Sequence, residues 1–228
     1  MSLLMGQTRQ LAGQDGLCQM IKAVCFDLGG TLLLEQGEGF SARVVRLSGL
    51  PASQVRAALV KHFYLQERPL EETVHAFCRE LDIPDSDSFM GQLSAPVPKS
   101  RLFPDVYEAL KMLAGYRLAT ISNLTPWNHS HVLDVEAAGM FETEVVSYKV
   151  HYAKPDARIF KLVEQRLGLA PEEIVMVGDS PHDDIAGAKK AAWKAIHLTR
   201  QEHTCLPDPE ADAVIDSLRD IRQIIKDL

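Results

Sequence analysis

The feature that most limits what this chain can fold into is a series of short, wholly apolar runs, each followed by a stretch with helical periodicity. Residues 21–28 read as a first buried strand, closed at once by Gly29-Gly30. Residues 116–122, 145–148, 174–177 and 195–198 continue the series, and 213–215 form a short sixth run. Strands apolar on both faces belong in a parallel sheet covered by helices on both sides, because a sheet with one wet face would alternate. The helices between them have readable ends. One runs from Pro104-Asp105 to about Ala114 and stops at Gly115, and a second spans 157–167 and stops at Gly168. Residues 184–192 and 217–226 supply two more. The expected fold is α/β, with a doubly wound parallel sheet.

Residues 40–100 break this alternation. They hold only helical patterns, at 40–47, 52–65, 70–81 and 86–93, punctuated by Pro51, Pro69, Pro84, Pro96 and Pro98. That is too long for an ordinary strand–helix loop. The chain therefore reads as an N-terminal arm (1–20), a core (21–38 and 100–228) and an inserted helical subdomain (39–99). Hydrophobic residues make up 46% and charged ones 24%, the profile of a globular rather than a disordered chain. Acidic side chains outnumber basic ones by 31 to 24, and a net charge of −7 repels a nucleic-acid backbone. No run approaches the ~18 apolar residues of a membrane span. Cys18, Cys25, Cys78 and Cys205 show no CxxC spacing, so they are read as reduced thiols rather than a zinc knuckle or redox pair. Residues 1–20 lack the apolar centre of a secretory signal. The expectation is a cytoplasmic protein without nucleic-acid or membrane partners, compatible with a monomer or a dimer.

In a doubly wound sheet, ligands gather at the carboxyl ends of the strands. Asp27 ends the first run, Ser122-Asn123 the second and Gly178-Asp179-Ser180 the fourth, while Lys154-Pro155-Asp156 follows the third and opens a helix. If the first and fourth strands are neighbours, Asp27, Asp179 and Asp184 make an oxygen-rich site that suits Mg2+. A cation there also explains how mutually repelling carboxylates stay ionised. Lys154 offers a point charge, and Ser122 with nearby backbone N–H groups can hold phosphate oxygens. A carboxylate, a metal and a lysine around a phosphate are the equipment of phosphoryl transfer through an aspartyl phosphate.

The segment Ala23-Val24-Cys25-Phe26-Asp27-Leu28-Gly29-Gly30-Thr31-Leu32 resembles the first signature of the haloacid dehalogenase (HAD) superfamily of hydrolases. Thr120-Ile121-Ser122-Asn123 is similar to its second, and Ala153-Lys154-Pro155-Asp156 with Ile159-Phe160 to its third. Residues 174–184, followed by Gly187-Ala188, are similar to its fourth. The set matches in order across about residues 21–195, and the helical insert lies where this superfamily carries a C1-type cap. The resemblance implies a Rossmann-like core with Asp27 as nucleophile and Mg2+ ligand. It implies Asp179, Asp184 and the carbonyl of Gly29 as the remaining protein ligands, with Asp183 off the pattern. Ser122 and Asn123 are implied to bind phosphoryl oxygens, and Lys154 to neutralise charge between nucleophile and phosphate. The implied substrate is a small phosphorylated metabolite.

One position departs from the phosphatase pattern. Two residues after the nucleophile, that branch of the superfamily carries a second aspartate that protonates the leaving oxygen and then activates water. Here the position is Gly29. General acid–base catalysis contributes ~10²–10⁴-fold, so ordinary phosphoester turnover is expected to be weak. Three readings follow. The favoured one is a phosphatase for good leaving groups, or one whose acid comes from Glu35, His129, His151 or His182. The second is a non-catalytic phosphate- or partner-binding domain. The third is a dehalogenase-type hydrolase, whose departing halide needs no proton. Trp127, Asn128, His129 and His131 follow the second strand, and Phe40, Arg43, Arg46, His62, Phe63 and Tyr64 lie in the cap. Their spacing does not separate cleft from core positions.

Overall fold

The computed structural model describes residues 20–96, 99–127, 133–200 and 207–228. All of the arm but Met20 lies outside them, as do Cys18, Pro98, Asn128, His129, His131 and Cys205. The first half contains β1 (Ala23–Phe26), β2 (Leu33–Leu34), α1 (Phe40–Ser48), α2 (Ala52–Leu59), a π-helical turn (Val60–Tyr64), α3 (Leu70–Glu80) and α4 (Ser86–Leu93). Then come β3 (Arg101–Leu102), α5 (Val106–Met112), β4 (Arg117–Ser122), α6 (Val135–Ala138), β5 (Thr143–Val146), α7 (Ser147–Val150) and α8 (Ala157–Leu167). The chain ends through β6 (Ile174–Gly178), a second π-helical turn (Pro181–Ile185), α9 (Ala186–Lys190), β7 (Lys194–Leu198), β8 (Ala213–Ile215) and α10 (Ile221–Lys226).

Six strands form one sheet in the order β5-β4-β1-β6-β7-β8, with every pairing parallel. The chain winds outward from β1 in one direction and from β6 in the other, so a crevice opens between those two strands at their carboxyl ends. Alternate residues of β1 face opposite sides. Val24 and Phe26 join Val106 and Leu110 of α5 and Ile221 of α10 in one core, while Ala23 and Cys25 join Ile159, Phe160 and Val163 of α8 in the other. Phe26 and Phe160 are fully buried, each contributing about 1.5–3 kcal/mol by leaving water. This two-faced burial explains the unbroken apolar runs.

Three elements differ from the periodicity. The third strand occupies Thr143–Val146 rather than 145–148, and the chain turns into α7 at Ser147. As the edge strand of the sheet it needs no full apolar cover, so Thr143 and Glu144 belong to it although they remain open to solvent. The helix expected over 52–65 gives way to a π turn at Val60, and the one expected over 184–192 is preceded by a π turn from Pro181. A single π turn inserts one residue into the repeat, which a search for a 3.6-residue period does not register.

Helices α1–α4 bury a third core of their own, built on Val44, Val55, Phe63, Val74, Phe77 and Phe89. The rings of Phe63 and Phe77 meet edge to face at 5.1 Å. Trp127 reaches this core from the segment after β4, 6.3 Å from Phe63. The chain passes into this helical block after β2 and returns through β3, and the two short strands pair antiparallel, Leu33 opposite Leu102 and Leu34 opposite Arg101.

Candidate active site

Asp27 directly follows β1 and Asp179 directly follows β6. Phe26 pairs with Val177, so the two carboxylates leave neighbouring strands at nearly the same height. The Asp27 N–H donates to the Val177 carbonyl at 3.0 Å and holds the residue against β6. The π turn after β6 folds Asp184 back to join them, with its Oδ2 accepting from the Ser180 N–H at 3.0 Å. Two glycines make room. Gly30, at φ +75°, lies where any Cβ would overlap the Asp179 carboxylate, and a Cβ on Gly178 would overlap that of Asp184. Oxygens of Asp27, Asp179 and Asp184 come within 4.8 Å of one another.

Lys154 reaches this group from the loop before α8. Its ammonium donates to Asp27 Oδ1 and to Asp184 Oδ1, each at 2.5 Å. Ser122 Oγ, at the end of β4, donates to Asp27 Oδ1 at 3.3 Å. Asn123 is placed differently from a simple phosphate ligand. Its carboxamide accepts from the Lys154 N–H at 2.8 Å and donates to the Lys154 carbonyl at 3.0 Å, which fixes the lysine's backbone. His197, fully buried on β7, accepts the Asp208 N–H on Nδ1 at 3.0 Å. Its Nε2 therefore carries the proton and donates to the Asp179 carbonyl at 3.1 Å. Nothing in the apolar run over 195–198 except the presence of a histidine hinted at this support.

The electrostatics follow from crowding. Burial, together with repulsion from Asp27 and Asp184, pushes the Asp179 carboxyl up to about 8 against the pull of Lys154. Asp184 is also raised, by burial first and by Asp27 second, with Lys154 opposing. Burial works to lower the Lys154 ammonium, but Asp184 and Asp27 outweigh it and hold it well above its ordinary value. Three carboxylates facing one ammonium leave negative charge that a hard divalent cation with oxygen ligands would balance.

A cavity of about 600 Å3 stands over these groups. Gly29, Ser122 and Lys154 line its floor with the three aspartates, and Glu35, Phe40, Ser41 and Tyr64 line the side facing the helical block. Ser41 Oγ and the Tyr64 hydroxyl are 2.6 Å apart. Burial pushes the Tyr64 phenol up to about 12, the Ser41 hydrogen bond countering in part, so it stays protonated. The other aromatic and basic candidates of the block point away. Phe63 and His62 are buried among its helices, Arg43 donates to the Ala95 carbonyl and Arg46 pairs with Glu38. Of the nominees for a replacement acid, Glu35 lines the cavity, with its carboxylate against Gly39 at the start of α1. His151 donates from Nδ1 to the Leu65 carbonyl at 2.9 Å, and His182 meets Arg56 and Asp183 on the rim. His129 lies outside the described residues.

The model of the haloacid dehalogenase-like hydrolases matches residues 21–192. The chain belongs to that family. It is 29% identical over 226 residues to a glyceraldehyde 3-phosphate phosphatase of Methanothermobacter thermautotrophicus, covering 90% of this chain and 100% of that protein. To a phosphoglycolate phosphatase of Salmonella typhi it is 28% identical over 243 residues, covering 89% and 92% of the two chains. A solved 2-haloacid dehalogenase from Pseudomonas syringae pv. Tomato DC3000 shares the fold at a TM-score of 0.60 and 23% identity, over 90% of this HAD chain and 98% of the other.

Proposed function

We propose that this HAD hydrolase is a phosphatase that moves a phosphoryl group from a small phosphorylated metabolite to Asp27 and then to water. The observation that carries this reading is the Asp27 carboxylate at the cavity floor, gripped on Oδ1 by both Lys154 and Ser122. That grip leaves Oδ2 outside both bonds, available to attack phosphorus. As the new oxygen–phosphorus bond forms, the bond to the leaving oxygen breaks, and the electron pair departs on that oxygen, which then needs a proton. Lys154, Ser122 and the backbone N–H at Asn123 are assigned to the phosphoryl oxygens, and the Asn123 carboxamide to positioning Lys154. Asp27, Asp179, Asp184 and the Gly29 carbonyl would hold Mg2+, which when bound supplies positive charge to the phosphoryl oxygens. We assign residues 21–38 and 100–228 to the catalytic core and 39–99 to the cap. A cytoplasmic setting accords with the free, buried thiols of Cys25 and Cys78. Among the described residues no helix is long and apolar enough to cross a membrane. The relatives named as phosphatases support the reading.

Gly29 leaves the departing oxygen without an adjacent acid. Its φ is not among the positive ones, so its backbone can accept a side chain. The test is phosphate release from a panel of phosphoesters and acyl phosphates with and without Mg2+, for the wild type and Gly29→Asp. The expected result is Mg2+-dependent turnover of acyl phosphates by the wild type and about 10²-fold faster ester hydrolysis by the variant. Chloride release from 2-haloacids without phosphate release would replace this reading with the dehalogenase one. Silence on every substrate from both folded proteins would leave a binding domain.

A further inference from the structure

We infer that the cavity wall facing Asp27 selects phosphate esters whose leaving group bears hydroxyls rather than a carboxylate, with the hydrogen-bonded Ser41–Tyr64 pair as the contact that reads them. This rests on the phosphatase reading above and names its substrate class. Both residues line the cavity from the helical block, and their hydroxyls lie 2.6 Å apart. One hydrogen is used between them, so the pair still presents one donor and spare lone pairs to the cavity. An alcohol both donates and accepts, and so satisfies such a pair, whereas a carboxylate only accepts.

The charges around the cavity point the same way. Among the described residues that line it, Lys154 is the sole Lys or Arg, and its ammonium already lies between Asp27 and Asp184. Among the described lining residues, a leaving group carrying a carboxylate would enter an acidic wall with no cation to meet it. The hydroxyl pair is also rigidly set. The π turn of Val60–Tyr64 delivers Tyr64 to the cavity, and Phe40 packs against its ring at 6.4 Å and against Phe63 at 5.4 Å. A fixed polar pair of this kind discriminates through hydrogen bonds that the wrong substrate leaves unmade.

The experiment measures kcat/KM for glycerol 3-phosphate and phosphoglycolate with the wild type, Ser41→Ala and Tyr64→Phe, each checked for folding by thermal unfolding. The expected result is at least about 10-fold preference for glycerol 3-phosphate, reduced about 10-fold in ratio by either variant. Equal or better turnover of phosphoglycolate, or a ratio that neither variant moves, overturns the inference while phosphate release keeps the phosphatase reading standing. If neither ester is hydrolysed, acyl-phosphate turnover decides the phosphatase reading, and the selectivity is read from calorimetric binding of the same two esters to Asp27→Asn. Tighter glycerol 3-phosphate supports the inference there, and equal or tighter phosphoglycolate overturns it.

Discussion

Lys154 shares its ammonium between two buried carboxylates, so its removal changes more than one charge. Lys154→Met is expected to lower turnover by at least about 10²-fold and to make Asp184 harder to ionise. Single-turnover kinetics across pH would read both effects. The raised Asp179 carboxyl gives a second prediction. A carboxyl whose folded value rises from 3.8 to about 8 favours folding fully below 3.8, and that advantage is lost progressively as pH climbs to about 8. Mg2+ competes with the proton for the same oxygens, so its stabilisation should grow with pH across this window. Melting temperatures with and without Mg2+ at several pH values check this, and a gain independent of pH would contradict it. Gly30→Ala and Gly178→Ala should abolish that gain, since each Cβ displaces a carboxylate of the trio. Asp27, Ser122, Lys154, Asp179 and Asp184 were legible in the sequence because each is a polar residue closing or following an apolar run. Ser41, Tyr64 and His197 were not, because only packing decides which side of a helix or strand meets a cavity.

At the scale of elements, Arg200 gathers the segments that lead into and out of the helical block. It donates to the Thr31 carbonyl at 2.9 Å, lies 3.7 Å over the Phe103 ring and pairs with Asp105 at 3.1 Å. Asp105 Oδ2 also accepts from Ser217 Oγ and the Leu218 N–H, each at 2.9 Å, which ties the final helical turn to α5. Burial works to raise the Asp105 carboxyl, but the Arg200, Leu218 and Ser217 hydrogen bonds hold it below its ordinary value. Its contribution is therefore present above pH 3.8 and lost as pH falls below that through the lowered folded value. Asp105→Asn should cost about 3–5 kcal/mol near neutrality, because it strands a buried guanidinium, and the gap from wild type should close in acid. Denaturant unfolding at pH 7 and below pH 4 measures both. The strands and helices around this hub follow from hydrophobic period and end signals. The hub itself joins residues far apart in the chain, and no local pattern marks such a junction.

At the scale of the molecule, polar contacts join the helical block to the sheet. Arg56 of α2 reaches Asp183 beyond β6, and His151 beyond α7 reaches the Leu65 carbonyl. The Arg56–Asp183 pair is partly exposed, and such pairs contribute little, so Arg56→Ala should raise KM about 2–5-fold without lowering kcat. Steady-state kinetics test that, and small-angle scattering should show a more open shape. That residues 40–93 hold only helices was readable from the change in periodicity after residue 40, whereas the contacts between these helices and the sheet join distant segments. The antiparallel pairing of β2 with β3 has a practical consequence. Because the outgoing and returning strands lie side by side, the helices between Leu34 and Arg101 should be exchangeable as one piece. A graft from another family member at those two points would carry its own substrate preference, while the acidic trio and its lysine stay behind in the recipient.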